Sequence, residues 1–136
     1  MIRTVDSSVL IAAFATWHSD HERARLAITR RPTVVGHVLA ETFSVLTRLP
    51  QPQRADPADV AAFLEFNLSP TPLVLDADEV RALPHRLVEL GISGSATYDA
   101  LIALTAQRFD ATLVSLDRRA EATYRRCGAS VDFLEL

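Results

Sequence analysis

Ile2-Arg3-Thr4-Val5-Asp6-Ser7-Ser8-Val9-Leu10-Ile11-Ala12-Ala13-Phe14 decides the fold. Its first four residues are rich in β-branched side chains, as a strand requires, and the run ends on an acid followed by two serines. Asp and Ser cap helices by accepting free backbone N–H groups, so the apolar segment Val9 to Phe14 reads as a helix. A strand passing straight into an apolar helix is the opening unit of an α/β domain. Parallel sheets of that kind bind ligands at the C-terminal ends of their strands, which is where Asp6 stands.

The alternation continues outward. A polar helix is expected over Asp20 to Arg30, stopped by Pro32, and a short strand over Thr33 to Val35, ended by Gly36. Val38, Leu39, Val45, Leu46 and Leu49 recur at helical spacing until Pro50 and Pro52 close the pattern. Gln51 to Pro57 is a polar connector, and Pro57 opens a helix to about Phe66. Past a break at Ser69 to Pro72, Leu73 to Leu75 reads as a buried strand. Asp76 then caps a helix from Ala77 to Leu90 that Pro84 kinks or divides and Gly91 stops. Ser95 to Thr97 opens a helix to Arg108, Thr112 to Leu116 is strand, and Asp117 starts a helix to Cys127. Gly128 ends that helix, and Val131 to Leu134 is a last strand. The pattern predicts one α/β domain over residues 1–136, with a central, mostly parallel sheet of about five strands and helices on both faces.

Composition narrows the chemistry. Of 136 residues, 49% are apolar and 23% charged, which excludes a disordered chain. The longest apolar stretch, Val9 to Ala15, is far below the roughly 18–20 residues that cross a bilayer, and Asp6 interrupts any secretory leader, so a cytoplasmic protein is expected. A single cysteine, Cys127, excludes an internal disulfide and a thiolate zinc site. His18 and His21 sit in a polar stretch and read as solvated surface. The net charge is −3 and every basic residue is arginine, with pairs at Arg30-Arg31, Arg118-Arg119 and Arg125-Arg126.

Four carboxylates stand out by position. Asp6 and Asp117 end strands, Asp99 falls in the first turn of a helix, and Glu41 lies beside Val38 and Val45 at the edge of an apolar stripe. Singly, each of the three aspartates is also explained as a helix cap or first-turn acid, as Asp76 is. Brought together at one end of a parallel sheet, the four repel one another unless a cation neutralises them. Oxygen donors without cysteine or spaced histidine select Mg²⁺ or Mn²⁺, and such an ion activates water and neutralises a phosphodiester oxygen. Phosphodiester hydrolysis is the matching reaction.

Thr-Val-Asp6-Ser-Ser, Leu-Ala-Glu41-Thr-Phe-Ser-Val-Leu-Thr-Arg-Leu-Pro, Thr-Tyr-Asp99-Ala-Leu-Ile-Ala and Leu-Val-Ser115-Leu-Asp117-Arg-Arg, taken in this order and spacing, resemble PIN-domain ribonucleases of the VapC toxin type. The likeness runs from the first strand to about Cys127. It implies a PIN fold, a metal-dependent endoribonuclease, and an acidic pocket of Asp6, Glu41, Asp99 and Asp117 that ligates one or two Mg²⁺ or Mn²⁺ ions. It further implies that Ser7 and Ser115 support those acids by hydrogen bonding and that Arg118 and Arg119 are candidates to hold RNA phosphates. A cognate VapB-type antitoxin, a toxin homodimer and a higher assembly with the antitoxin are the partners it implies. Val60, Phe63, Leu64 and Phe66 would offer an antitoxin helix an apolar groove, or else pack the core.

Three rivals are weighed against this reading. A phosphoacceptor signalling domain relies on a lysine, and the chain has none. A haloacid-dehalogenase-type phosphatase wants a second Asp where Ser8 stands. A catalytically inactive PIN-like module that binds RNA or a partner would keep the fold and lose metal-dependent cleavage.

Overall fold

The computed structural model describes residues 2–134. The chain runs β1 (Ile2–Val5), α1 (Ser7–Phe14), α2 (His21–Ala27), β2 (Thr33–Val34), α3 (Gly36–Thr47), α4 (Pro57–Asn67), α5 (Ala77–Leu90), α6 (Ala96–Arg108) and β3 (Ala111–Ser115). A 3-10 turn (Arg118–Ala120), α7 (Glu121–Arg126) and β4 (Ser130–Phe133) complete it. Among the described residues, four strands form one parallel sheet in the order β2-β1-β3-β4, flanked by helices. Val5 stands opposite Val114, and the Asp6 N–H extends the ladder to the Val114 carbonyl at 3.1 Å. That register sets Asp6 beside Ser115.

The expected strand at Leu73 to Leu75 shrinks to a single parallel bridge between Val35 and Leu73. Leu73 donates to the Val34 carbonyl at 2.8 Å and accepts from Gly36 at 2.9 Å. Pro72 has no N–H to continue the ladder, and Val74 is exposed, so nothing extends the pairing. Pro84 neither divides nor ends α5. Most of that helix faces water, so the carbonyl left without an intrahelical partner is free to be hydrated. Asp76 caps it and Gly91 terminates it at φ 68°, as the sequence suggests, and Glu79 completes a reciprocal capping box that the sequence reading did not include.

Val5, Leu113 and Val114 are buried along the middle of the sheet, the burial expected of parallel strands covered on both faces. Ala100, Ala103 and Ala106 are fully buried along one row of α6, so that helix can approach the sheet closely. The stripe of α4 is divided. Val60 and Leu64 are core, whereas Phe63, edge-on to Phe14 at 5.3 Å, and the exposed Phe66 line an open cavity between α4 and α2, so the row serves both expected roles in part.

Candidate active site

The order β2-β1-β3-β4 places β1 between the strands that follow it on either side, and the crevice at such a switch point is where parallel sheets bind ligands. An open cleft of about 480 Å³ lies there. Asp6, Ser7, Ser8, Glu41, Asp99 and Asp117 line it, together with His18, Asp20, Arg119 and Tyr124. The four acids singled out by the sequence thus share one cavity from four separate segments, and Asp20, ahead of α2, adds a fifth carboxylate.

Local folding positions each of them. Asp6 is the N-cap of α1 and accepts from the N–H groups of Ser8 and Val9 at 3.1 and 3.4 Å. Asp117 caps the 3-10 turn by accepting from the Arg119 N–H at 3.0 Å, and Asp99 lies in the first turn of α6. Unpaired N–H groups and the helix dipole favour negative charge at all three places. Glu41 has no such terminus. It stands half-exposed on α3, between core residues Val38 and Leu46 on one side and the cleft on the other.

Asp6 is the anchor of the cavity and is only 2% exposed. Besides the two backbone donors, it accepts from the Ser8 hydroxyl at 2.5 Å, the Ser115 hydroxyl at 2.5 Å and the Tyr124 phenol at 2.8 Å. Burial raises its proton affinity above the ordinary carboxylate, and these donors pull the other way without overcoming it. Ser115 in turn accepts from the Asp117 N–H at 2.9 Å, and Ser8 accepts from the Leu116 N–H at 2.9 Å. Two hydroxyls therefore stitch the start of α1 to the exit of β3 and fix Asp117 relative to Asp6.

Asp99 reports the field of the whole cleft. Its proton affinity is raised first by partial burial, then by the charges of Asp117, Glu41 and Asp6, with Arg119 opposing them. Tyr124 stays protonated for the same reasons, burial first and the Asp6 carboxylate second, which suits its role as a donor. We expect Tyr124→Phe, which leaves a buried carboxylate one donor short, to lower stability by about 1–3 kcal/mol. Urea denaturation measures it, and an unchanged midpoint would show that the phenol is dispensable to Asp6.

Several positions differ from the sequence reading. Ser7 lines the cleft, but the hydroxyl that reaches Asp6 belongs to Ser8, the next residue along. His18 and His21 are not open surface: His18 lines the cleft with its Nδ1 accepting from the Asp20 N–H at 3.0 Å, and the His21 Nδ1 lies 2.9 Å from the Ala12 carbonyl. Arg119 stands at the cleft with its Nε 3.3 Å from Asp117 and its side chain 92% exposed. Arg118 instead lies over the Phe133 ring at 4.2 Å and pairs with Glu121. Tyr124 carries no local signal, because only the fold brings it to a residue 118 positions away.

The donor set is entirely hard oxygen, which suits Mg²⁺ or Mn²⁺. Among the described residues no three acidic, histidine or cysteine side chains converge tightly enough to cage an ion. The cluster's electrostatics still favour a cation, since repulsion at Asp99 is what a divalent charge would relieve.

Comparison with known proteins gives a consistent assignment. A family model described as PIN domain matches residues 3–126. The chain is 45% identical over 129 residues to Ribonuclease VapC40 of Mycobacterium tuberculosis, in strains CDC 1551 / Oshkosh and ATCC 25618 / H37Rv, covering 95% of this chain and 96% of the relative. It is 40% identical over 128 residues to Ribonuclease VapC27 of M. tuberculosis strain ATCC 25618 / H37Rv, covering 93% of each. The crystal structure of PAE2754 from Pyrobaculum aerophilum superposes with a TM-score of 0.60 at 24% identity, over 96% of this chain and 90% of that one, a likeness of fold.

Proposed function

Since the chain belongs to the PIN-domain family and is VapC-type within it, we propose that it is a Mg²⁺- or Mn²⁺-dependent endoribonuclease, the toxin of a type II toxin-antitoxin pair. One observation carries the reading: Asp6, Glu41, Asp99 and Asp117 arrive from separate segments at one cleft, and Asp99 feels the other three. The reading takes residues 1–136 as a single PIN domain acting in the cytoplasm. A cognate VapB-type antitoxin neutralises it, and a homodimer, with a higher assembly once antitoxin binds, is the form in which it works. The VapC relationship supports the antitoxin; the homodimer is part of the same proposal.

Asp6, Glu41, Asp99 and Asp117 would hold the cation. When bound, it supplies a water of lowered pKa and neutralises charge on the scissile phosphodiester. Asp6, immobilised by its donors, fixes the position of Asp117 through Ser115, with Ser8 holding the intervening Leu116. Asp99 and Asp117, each partly solvated, orient water on the open side. Glu41 closes the acidic ring from α3, and Arg119 offers an exposed guanidinium to the substrate phosphate.

Metal binding has a pH signature. Asp6 and Asp99 hold protons more tightly folded than at the ordinary 3.8, so above 3.8 the folded state binds more protons than the unfolded one. Stability contributed by these groups is therefore lost as pH rises through their raised folded pKa values. A divalent cation removes that penalty where the acids are ionised. We expect saturating Mn²⁺ to raise Tm by several degrees at pH 8 and by much less at pH 5, and Asp99→Asn to shrink the pH 8 gain. A thermal melt in Mn²⁺ against EDTA tests this, and equal melting at pH 8 would contradict the metal site.

A further inference from the structure

Five carboxylates and a single arginine, Arg119, line the cleft, the net charge is −3 and lysine is absent, so charge offers a phosphodiester chain little net attraction there. Affinity for RNA gains from a contact beyond Arg119. Outside the cleft lining, on the two helices that carry Glu41 and Asp99, stands an aromatic pair. Tyr98 immediately precedes Asp99 on α6, and His37 lies one turn before Glu41 on α3. Their rings stack in parallel, with centroids 5.2 Å apart and planes 4° apart.

The pair reaches the surface, with Tyr98 55% exposed and His37 partly so. Offset-parallel and edge-on rings are both favoured by ring quadrupoles, but only the parallel stack leaves one flat aromatic face open, whereas the partly buried Phe14 and Phe63 meet edge-on at 87°. Neither ring carries a side-chain hydrogen bond among the described residues that would explain the orientation, and the tilted Trp17 and His18 rings form no comparable plane. Flat, exposed aromatic faces are what unpaired bases stack on, with little regard to sequence because every base has a π-face.

We propose that Tyr98 and His37 form a stacking platform for an unpaired nucleobase of single-stranded RNA, next to the phosphate held at the acidic cleft. The platform deepens the ribonuclease reading and rests on it for the identity of the ligand. A base laid on the exposed face of Tyr98 extends the existing two-ring stack. His37 and Glu41, four apart on α3, share one helix face, which sets the stack at the edge of the cleft rather than in its lining.

The probe is a mixed-sequence single-stranded RNA oligonucleotide carrying 2-aminopurine, whose fluorescence falls on stacking, read in EDTA for binding and in Mn²⁺ for cleavage. The parental chain should quench it. Tyr98→Leu, which keeps bulk and loses the π-face, should weaken binding roughly tenfold or more, with the loss in KM rather than kcat, and Tyr98→Phe should restore quenching. The Mn²⁺-induced gain in Tm should survive in Tyr98→Leu. A variant that loses that gain acts through the acids, which would overturn the platform. Parental cleavage with unaltered quenching and KM in Tyr98→Leu would overturn the platform and leave the ribonuclease reading standing. Quenching that depends on Tyr98 in a chain that cuts nothing would support the platform and overturn the ribonuclease reading, and neither quenching nor cleavage would overturn both.

Discussion

Asp99→Asn is expected to abolish RNA cleavage, by about a hundredfold or more, while the protein melts at or slightly above the parental temperature at neutral pH. The two halves of that result have one cause. Asp99 is half-buried among Asp117, Glu41 and Asp6, so its charge is paid for by repulsion in the metal-free chain. Asparagine keeps the shape and removes the repulsion, as well as the donor a divalent cation needs. Cleavage rate and thermal melting measured on the same preparation check both. A variant that still cuts at a tenth of the parental rate would remove Asp99 from the metal site, and one that melts well below the parent would mean that its charge supports the fold.

The neighbouring acid should behave in the opposite way. Asp6→Ala is expected to lose cleavage as completely and, in addition, to destabilise the fold by about 2–4 kcal/mol, a drop in Tm on the order of 10 °C. Alanine removes the cap of α1 and strands the hydroxyls of Ser8, Ser115 and Tyr124, all of which point at the lost carboxylate. Relief of a buried charge offsets part of that cost, so the loss stays below the sum of the separate hydrogen bonds. Urea denaturation gives the number. Parental stability in Asp6→Ala would mean that the donors around Asp6 find other partners and that its burial is incidental. Two acids in one cleft that fail alike in catalysis and oppositely in stability would separate anchor from water-facing ligand.

Much of this architecture is legible in the chain because its punctuation is local. Asp6 before Ser7-Ser8, Asp76 with Glu79, and Gly91 each act within a few residues of themselves, so strand ends and helix caps can be read directly. Leu73 to Leu75 misleads because an apolar triplet carries no information about its neighbours: Pro72 limits the ladder and Val74 faces water. The acids are conspicuous for the same local reason, as carboxylates at strand ends and in a first helical turn. Their supporting cast is not. Ser7 and Ser8 are equivalent in the sequence, and only the turn into α1 aims the second at Asp6. Tyr124 and His18 reach the cleft through tertiary contacts that no spacing rule encodes. Arg118 and Arg119 are adjacent and identical, yet the 3-10 turn sends one to Phe133 and the other to the cleft.

One acidic cleft, loaded with a divalent cation, is proposed to cut RNA. The most direct measurement is cleavage of a broad RNA panel by the purified, antitoxin-free chain in Mn²⁺, in EDTA, and in EDTA with Mn²⁺ restored, with Asp99→Asn alongside. Cutting that appears with Mn²⁺, vanishes in EDTA, returns on restoration and is absent from the variant is the predicted result. Cutting that survives both EDTA and the substitution, or its absence from the parental chain on every RNA, would contradict a metal-dependent ribonuclease.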